Sequence, residues 1–321
     1  MDETYDVVVV GGGAAGLSAG VALARSRRAV LVVDAGAPRN APAEGVHNYL
    51  GREGAAPAEL LAAGRAELAG YGGHLVHGTV TAVRRLDGDA TGFRVELAGG
   101  RDVVARRVLV ATGLVDELPD VPGVAERWGR DVLHCPYCHG WEVRDQAIGV
   151  LATGPLAVHQ ALLFRQLSAD VTLFAHTAPP LDAERRGQLA ARGITVVEGE
   201  VAALEVAGDR LAGVRLRSGE FVPRRAVAVQ TRMTARAGML APLGLEPVEM
   251  VMEGQVIGTY VAAEPTGATA VEGVWVAGNV TAIQAQVIGS AAAGLQAGAA
   301  LNADLVAEDT RRAVQVLTAC R

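Results

Sequence analysis

Short apolar runs closed by glycine-bearing turns alternate along the chain with stretches whose alanines, leucines and valines recur at helical spacing. Tyr5–Val10 is a near-continuous apolar run, the mark of a parallel strand buried on both faces. The turn Gly11–Gly16 follows, then a helix to about Arg25 and a second apolar strand, Ala29–Val33, ending at Asp34. This is a βαβ unit with a tight first turn. A Pro/Gly/Asn-rich loop over Ala37–Pro57 precedes a helix at Ala58–Ala69 and strands at Thr79–Val83, Gly92–Leu97 and Arg107–Ala111. A second βαβ pattern then begins: strand Ala147–Leu151, helix Pro155–Gln166, strand Val171–Phe174. Strands at Ile194–Val197, Leu211–Leu216, Ala226–Val229 and Val274–Ala277 lead to a Gly/Ala-studded helix over Gln286–Val306. The order predicts one α/β domain inserted into another. Prolines and glycines put the crossings near Leu114–Pro122 and Leu240–Pro247, dividing the chain into 1–116 with 243–321 around 117–242.

With 321 residues, half of them hydrophobic, the chain has room for about two cores. A net charge of −6 leaves no electrostatic footprint for nucleic acid, and the pairs Arg106-Arg107 and Arg185-Arg186 read as solvated surface. No apolar run approaches the ~20 residues of a membrane span. Asp2 and Glu3 precede the first strand with no basic region or apolar signal core, so a cytoplasmic protein is expected.

Gly11-Gly12-Gly13-Ala14-Ala15-Gly16 fits GxGxxG between a strand and a helix. Gly11 permits the tight turn, Gly13 lets backbone approach a pyrophosphate, and Gly16 lets helix and strand pack. Asp34 ends the next strand 23 residues after Gly11, where a carboxylate accepts from ribose hydroxyls. The second apolar strand pair makes both domains Rossmann-like.

Two of the three cysteines lie in His134-Cys135-Pro136-Tyr137-Cys138-His139-Gly140. CxxC spacing lets the sulfurs form a disulfide within one turn, and a flanking histidine can move protons near neutrality. His139 is the first candidate for that base and His134 the second; the other five histidines carry no motif. A zinc site would need a second ligand pair, and neither another CxxC nor an HxxxH exists. Cys320, close to the C-terminus, reads as a free thiol.

Val108–Gly113, a strand ending in ATG, and Gly273–Val280, a strand ending in GN before a helix, resemble the second and third FAD fingerprints of two-dinucleotide-domain flavoproteins. With the CxxC in the inserted domain, the chain resembles the low-molecular-weight thioredoxin reductases over its whole length. His47–Gly51 is similar to their flavin loop and Gln286-Val287-Ile288 to a late flavin-side segment. The resemblance implies FAD held by Gly11, Gly13, Ala14, Ala15, Gly16, Asp34, Ala35, Arg39, Asn48, Val80, Ala111, Thr112, Gly113, Gly278, Asn279, Gln286 and Val287. Asn279 stands where the family carries Asp against the ribitol. The resemblance further implies a homodimer, with Cys138 against the flavin and Cys135 as the outer, exchanging thiol. His139 replaces the family's Asp after the CxxC.

The nicotinamide motifs are damaged. Ala152-Thr153-Gly154-Pro155-Leu156-Ala157 keeps one glycine of the phosphate turn, and Pro155 removes an N–H donor. Phe174–Pro180 lacks the arginines that clamp a 2′-phosphate. NADPH is therefore not expected, and electrons would enter from a dithiol and leave to O2. Among flavoproteins, the chain is similar to the FAD-dependent dithiol oxidases of microbial disulfide natural products (gliotoxin, holomycin and romidepsin types), with CPYCHG closest to the holomycin type. That likeness implies a small-molecule dithiol as substrate and a place in antibiotic biosynthesis or self-resistance. Two alternatives remain open: a thioredoxin-type reductase fed by NADPH or ferredoxin, and a non-catalytic flavin sensor or dithiol-sequestering protein.

Overall fold

The computed structural model describes residues 4–86 and 91–320; Asp2 and Glu3 lie outside them. The first sheet is built on buried valines. Strands His74–His77, Val30–Asp34, Thr4–Val10 and Arg101–Val110 run parallel in that order. On its other edge Arg101–Val110 serves two partners: its first half pairs antiparallel with Phe93–Leu97, its second half parallel with Val274–Val276. Helices Ala14–Arg25 and Val287–Ala319 cover this sheet and cross closely, because a Cβ on Gly294 would stand 2.0 Å from the Ala15 carbonyl oxygen.

The second sheet is parallel throughout, in the order Thr195–Val197, Val171–Phe174, Ile148–Leu151, Ala226–Val229, Val132–Leu133. Helix Ala157–Phe164 packs on one face; a three-stranded antiparallel sheet, Val201–Ala207, Arg210–Leu216 and Phe221–Pro223, packs on the other. The chain leaves the first sheet through Leu114–Glu117 and returns through Arg232–Ala235. These two strands pair antiparallel, and hairpin Val248–Met252/Gln255–Tyr260 completes their sheet. The α/β fold expected from the patterning, thioredoxin-reductase-like as the resemblance implies, is the fold found.

Two expectations need correction. The C-terminal helix continues past Val306 to Ala319, carried by helix-favouring residues and a Glu308–Arg312 pair one turn apart. Cys320 ends that helix, exposed. Arg106 and Arg107 are not a solvated pair: Arg107 is buried, with Asp304 at 2.6 Å and Glu308 at 2.8 Å, and Arg106 meets Asp6 at 2.9 Å. Fixed carboxylates along the helix neutralise both guanidinium groups and dock it on the sheet. Among the described residues, no helix is long and apolar enough to cross a membrane.

Candidate active site

Four parallel strands of the first sheet end in register, with Val33 opposite Val10, Val10 opposite Val110, and Val110 opposite Val276. Ligands in open α/β sheets bind beyond such carboxyl ends. A cavity of about 1120 Å³ opens there. Its walls include Gly11, Gly13, Ala14, Ala15, Asp34, Ala35, Arg39, Val80, Ala111, Thr112, Gly113, Gly278, Asn279, Gln286 and Val287. Gly16 and Asn48 lie outside the lining.

The turn before helix Ala14–Arg25 suits a phosphate. Gly13 precedes the helix with no side-chain cap on its first amides, and a Cβ on Gly13 would meet no atom within 4 Å. Gly16 has the opposite surroundings: its Cβ would lie 1.8 Å from the Gly11 carbonyl oxygen. Gly16→Ala is therefore expected to pry helix from strand, costing about 1–3 kcal/mol. A lowered melting temperature and loss of bound flavin on gel filtration would check this. Asp34 Oδ1 accepts from the Gly12 N–H at 3.2 Å, closing the turn from the far side. Size, uncapped amides and carboxylate together fit a dinucleotide such as FAD.

Asn279, in the cavity wall, also braces a neighbouring loop. Its Nδ2 donates to the carbonyls of Ala282, Ile283 and Ala285 at 3.0, 3.3 and 2.8 Å, holding the loop that feeds helix Val287–Ala319. A carboxylate has no proton to give these oxygens, so the Asn supports the loop as an Asp could not. Arg39, in the cavity wall, grips Asp116 with two bonds of 2.6 and 2.7 Å, and Thr231 donates to the same carboxylate at 2.8 Å. Burial would raise the Asp116 carboxyl, but the Arg39 bonds outweigh it and hold the carboxyl below its ordinary value. Asp116 and Thr231 sit on or beside the two connecting strands, so the fork ties the Ala37–Pro57 loop to both.

The CxxC enters the same cavity from the second sheet. Strand Val132–Leu133 ends in it, and Pro136 starts the one-turn helix Pro136–His139. Cys135 caps that helix: the Cys138 N–H reaches Cys135 Sγ at 3.2 Å. A bond from the Cys138 thiol, the backbone amides and the charge of Arg39 bring the Cys135 thiol down to about 7 against its burial. Cys138, donating to its neighbour and half-buried, is pushed up. In the dithiol form Cys135 is thus the thiol that ionises first.

The two flanking histidines differ in what holds them. His134 Nδ1 lies 3.2 Å from the Val229 carbonyl, and Gln160 Nε2 reaches the His134 carbonyl at 2.8 Å, so this ring is tied to the second sheet. His139 Nε2 is buried without a hydrogen-bond partner. Burial lowers both imidazoles below their ordinary value; Glu142 partly opposes this for His139. His139 is accordingly a neutral base with a free nitrogen.

Asn48 works on the redox helix rather than in the cavity wall: its Nδ2 donates to the Tyr137 carbonyl at 2.7 Å. His47, passed over in the sequence, joins it there, with Nε2 at 3.4 Å from Glu142 and Nδ1 at 2.7 Å from Glu53. The nicotinamide-like turn packs closely on strand Gln255–Tyr260. A Cβ on Gly154 would stand 1.9 Å from Gln255 Oε1, and His176 Nδ1 accepts the Val201 N–H at 3.1 Å where a 2′-phosphate clamp would begin. Gln160, Gln255, Asp116 and Thr231 carried no sequence motif, since only folding brings them to the site.

Residues 5–298 match the pyridine nucleotide-disulphide oxidoreductase family. The chain is 32% identical over 311 residues to thioredoxin reductase tcpT of Claviceps purpurea, covering 94% of this chain and 95% of that one. It is 30% identical over 320 residues to thioredoxin reductase sirT of Leptosphaeria maculans, covering 95% of each. The crystal structure of HlmI superposes with a TM-score of 0.90 at 49% identity, covering 98% of this chain and 96% of HlmI. With a dinucleotide cradle and a CxxC opening into one cavity, and a family match over nearly its whole length, the chain belongs to the pyridine nucleotide-disulphide oxidoreductases.

Proposed function

We propose that the protein is an FAD-dependent dithiol oxidase that closes an intramolecular disulfide in a small-molecule dithiol. The observation that carries this reading is one cavity shared by the dinucleotide cradle and the CxxC, while the turn that would face NADPH packs on Gln255. Electrons then have a dithiol entrance and no nicotinamide entrance. The division into 1–116 with 243–321 around 117–242, a homodimer and a cytoplasmic location belong to the same proposal. The substrate class we favour is the dithiol form of a microbial disulfide antibiotic, holomycin-like, which the CPYCHG spelling supports.

A substrate thiolate attacks Cys135 of the enzyme disulfide, forming a mixed disulfide and releasing Cys138 as thiolate. His139 takes the proton of the second substrate thiol, whose sulfur attacks the first and expels Cys135. The lowered Cys135 thiol makes it the better leaving group of the pair. His134, held by Val229, orients the strand end from which the CxxC helix starts. FAD held by the Gly11–Gly16 turn would supply the two-electron acceptor needed to restore the enzyme disulfide, with O2 as the final oxidant. The sum is R(SH)2 + O2 → RS2 + H2O2.

The names of tcpT and sirT favour a second reading, a thioredoxin-type reductase using NADPH. Anaerobic mixing separates the two. Dithiothreitol is expected to bleach the bound flavin and NADPH to leave it oxidised, and in air each disulfide formed should yield one peroxide over many turnovers. Bleaching by NADPH would favour the reductase. Bleaching without turnover would leave only a sensor.

A further inference from the structure

Three large apolar side chains stand in the open at the outer rim of the redox centre. Leu50 is 92%, Tyr137 63% and Trp141 65% exposed. Two contacts staple their segments together: Asn48 Nδ2 to the Tyr137 carbonyl at 2.7 Å, and His47 Nε2 to Glu142 at 3.4 Å. Leu50 follows the first staple by two residues, and Trp141 adjoins the second. Tyr137 lies between the two reactive cysteines, so a molecule exchanging with Cys135 passes over this rim.

The indole is also pre-set. The Arg144 guanidinium covers one ring face at 4.2 Å and donates to the Trp141 carbonyl at 2.8 Å, which fixes the ring and leaves its other face open. Rigid aromatic surface suits a flat, apolar molecule, since clustered exposed apolar side chains mark binding surfaces.

Resting on the dithiol-oxidase reading, we propose that Leu50, Tyr137 and Trp141 form the docking shelf for the substrate's apolar body. The shelf makes the enzyme selective for dithiols that carry an apolar planar ring, with Trp141 the stacking residue and Arg144 its positioning residue.

Two probes of equal chemistry test this: 1,2-benzenedimethanethiol, flat and apolar, and dithiothreitol, hydrophilic. Both close six-membered disulfide rings. Trp141→Ala is expected to lower the ratio of their kcat/KM values, aromatic over hydrophilic, about tenfold, through KM. Arg144→Ala should lower it about threefold by loosening the ring. The cyclic disulfide of the aromatic probe should quench wild-type tryptophan fluorescence and leave Trp141→Ala unchanged, a binding readout independent of turnover. An unchanged ratio, or equal losses for both probes, overturns the proposal. So does an altered mass in solution for Trp141→Ala at unchanged ratio, which would assign the rim to a second copy of the chain. If wild-type flavin bleaches with neither dithiol, the oxidase reading falls, and the quenching alone then decides the shelf.

Discussion

Cys138→Ser is expected to reduce dithiol-dependent O2 consumption by ~10³-fold or more, because without the second sulfur there is no enzyme disulfide for substrate to attack. Serine matches cysteine closely in size, and Cys138 is only half-buried, so the melting temperature should hardly move. The informative comparison is with Cys135→Ser, which loses turnover for the same reason. If Cys138 faces the flavin, the long-wavelength charge-transfer band of the reduced enzyme persists in Cys135→Ser and vanishes in Cys138→Ser. A band that survives only in Cys138→Ser would exchange the two roles. Turnover retained in Cys138→Ser would sink the scheme. The thiol acidities sharpen the experiment: in the dithiol form Cys135 ionises first and Cys138 keeps its proton. A Cys138 thiolate therefore has to be made during the cycle, either as the leaving group of substrate attack or by loss of its proton beside the bound flavin.

Legibility in the sequence followed the range of the interactions. Thr4–Val10, Val30–Asp34 and Val171–Phe174 are apolar runs buried on both faces, and composition alone marks such strands. Leu114–Glu117 and Arg232–Ala235 are four residues each and mix apolar with charged positions. They are strands because they pair with each other across more than a hundred residues, a long-range fact no local window contains. The site divides in the same way. Gly11 to Gly16, the CxxC and the GN turn announce themselves through spacing. Arg39 meeting Asp116 and Asn48 meeting Tyr137 depend on where the loop over Ala37–Pro57 lies once folded. Asn279 was legible as a departure from the family's Asp, but its reason, three carbonyls awaiting a donor, exists only in three dimensions. Gln255 packed against Gly154 is likewise silent in sequence.

His139→Gln should lower kcat/KM for dithiols about 10²–10⁴-fold near neutrality, the usual worth of a positioned general base. The sign of its pH dependence follows from burial. A protonated imidazole cannot accept a thiol proton, so activity falls as pH drops through the His139 pKa. Burial places that pKa below the ordinary histidine value of about 6.5, and at pH 7 the base is already in working form. The wild type should therefore show an acid limb below pH ~6.5, and His139→Gln should lack it. Glu142→Gln should move the limb to still lower pH, since that carboxylate favours the charged ring. The defect of His139→Gln should also shrink as pH approaches ~8.5, where substrate thiols ionise unaided. His134→Gln supplies the contrast. It loses the bond to Val229 and some stability, but keeps the acid limb, because that ring is already committed to a backbone carbonyl. An acid limb that survives in His139→Gln and disappears in His134→Gln would reverse the assignment, and it would make the tethered imidazole, not the unpartnered one, the proton acceptor.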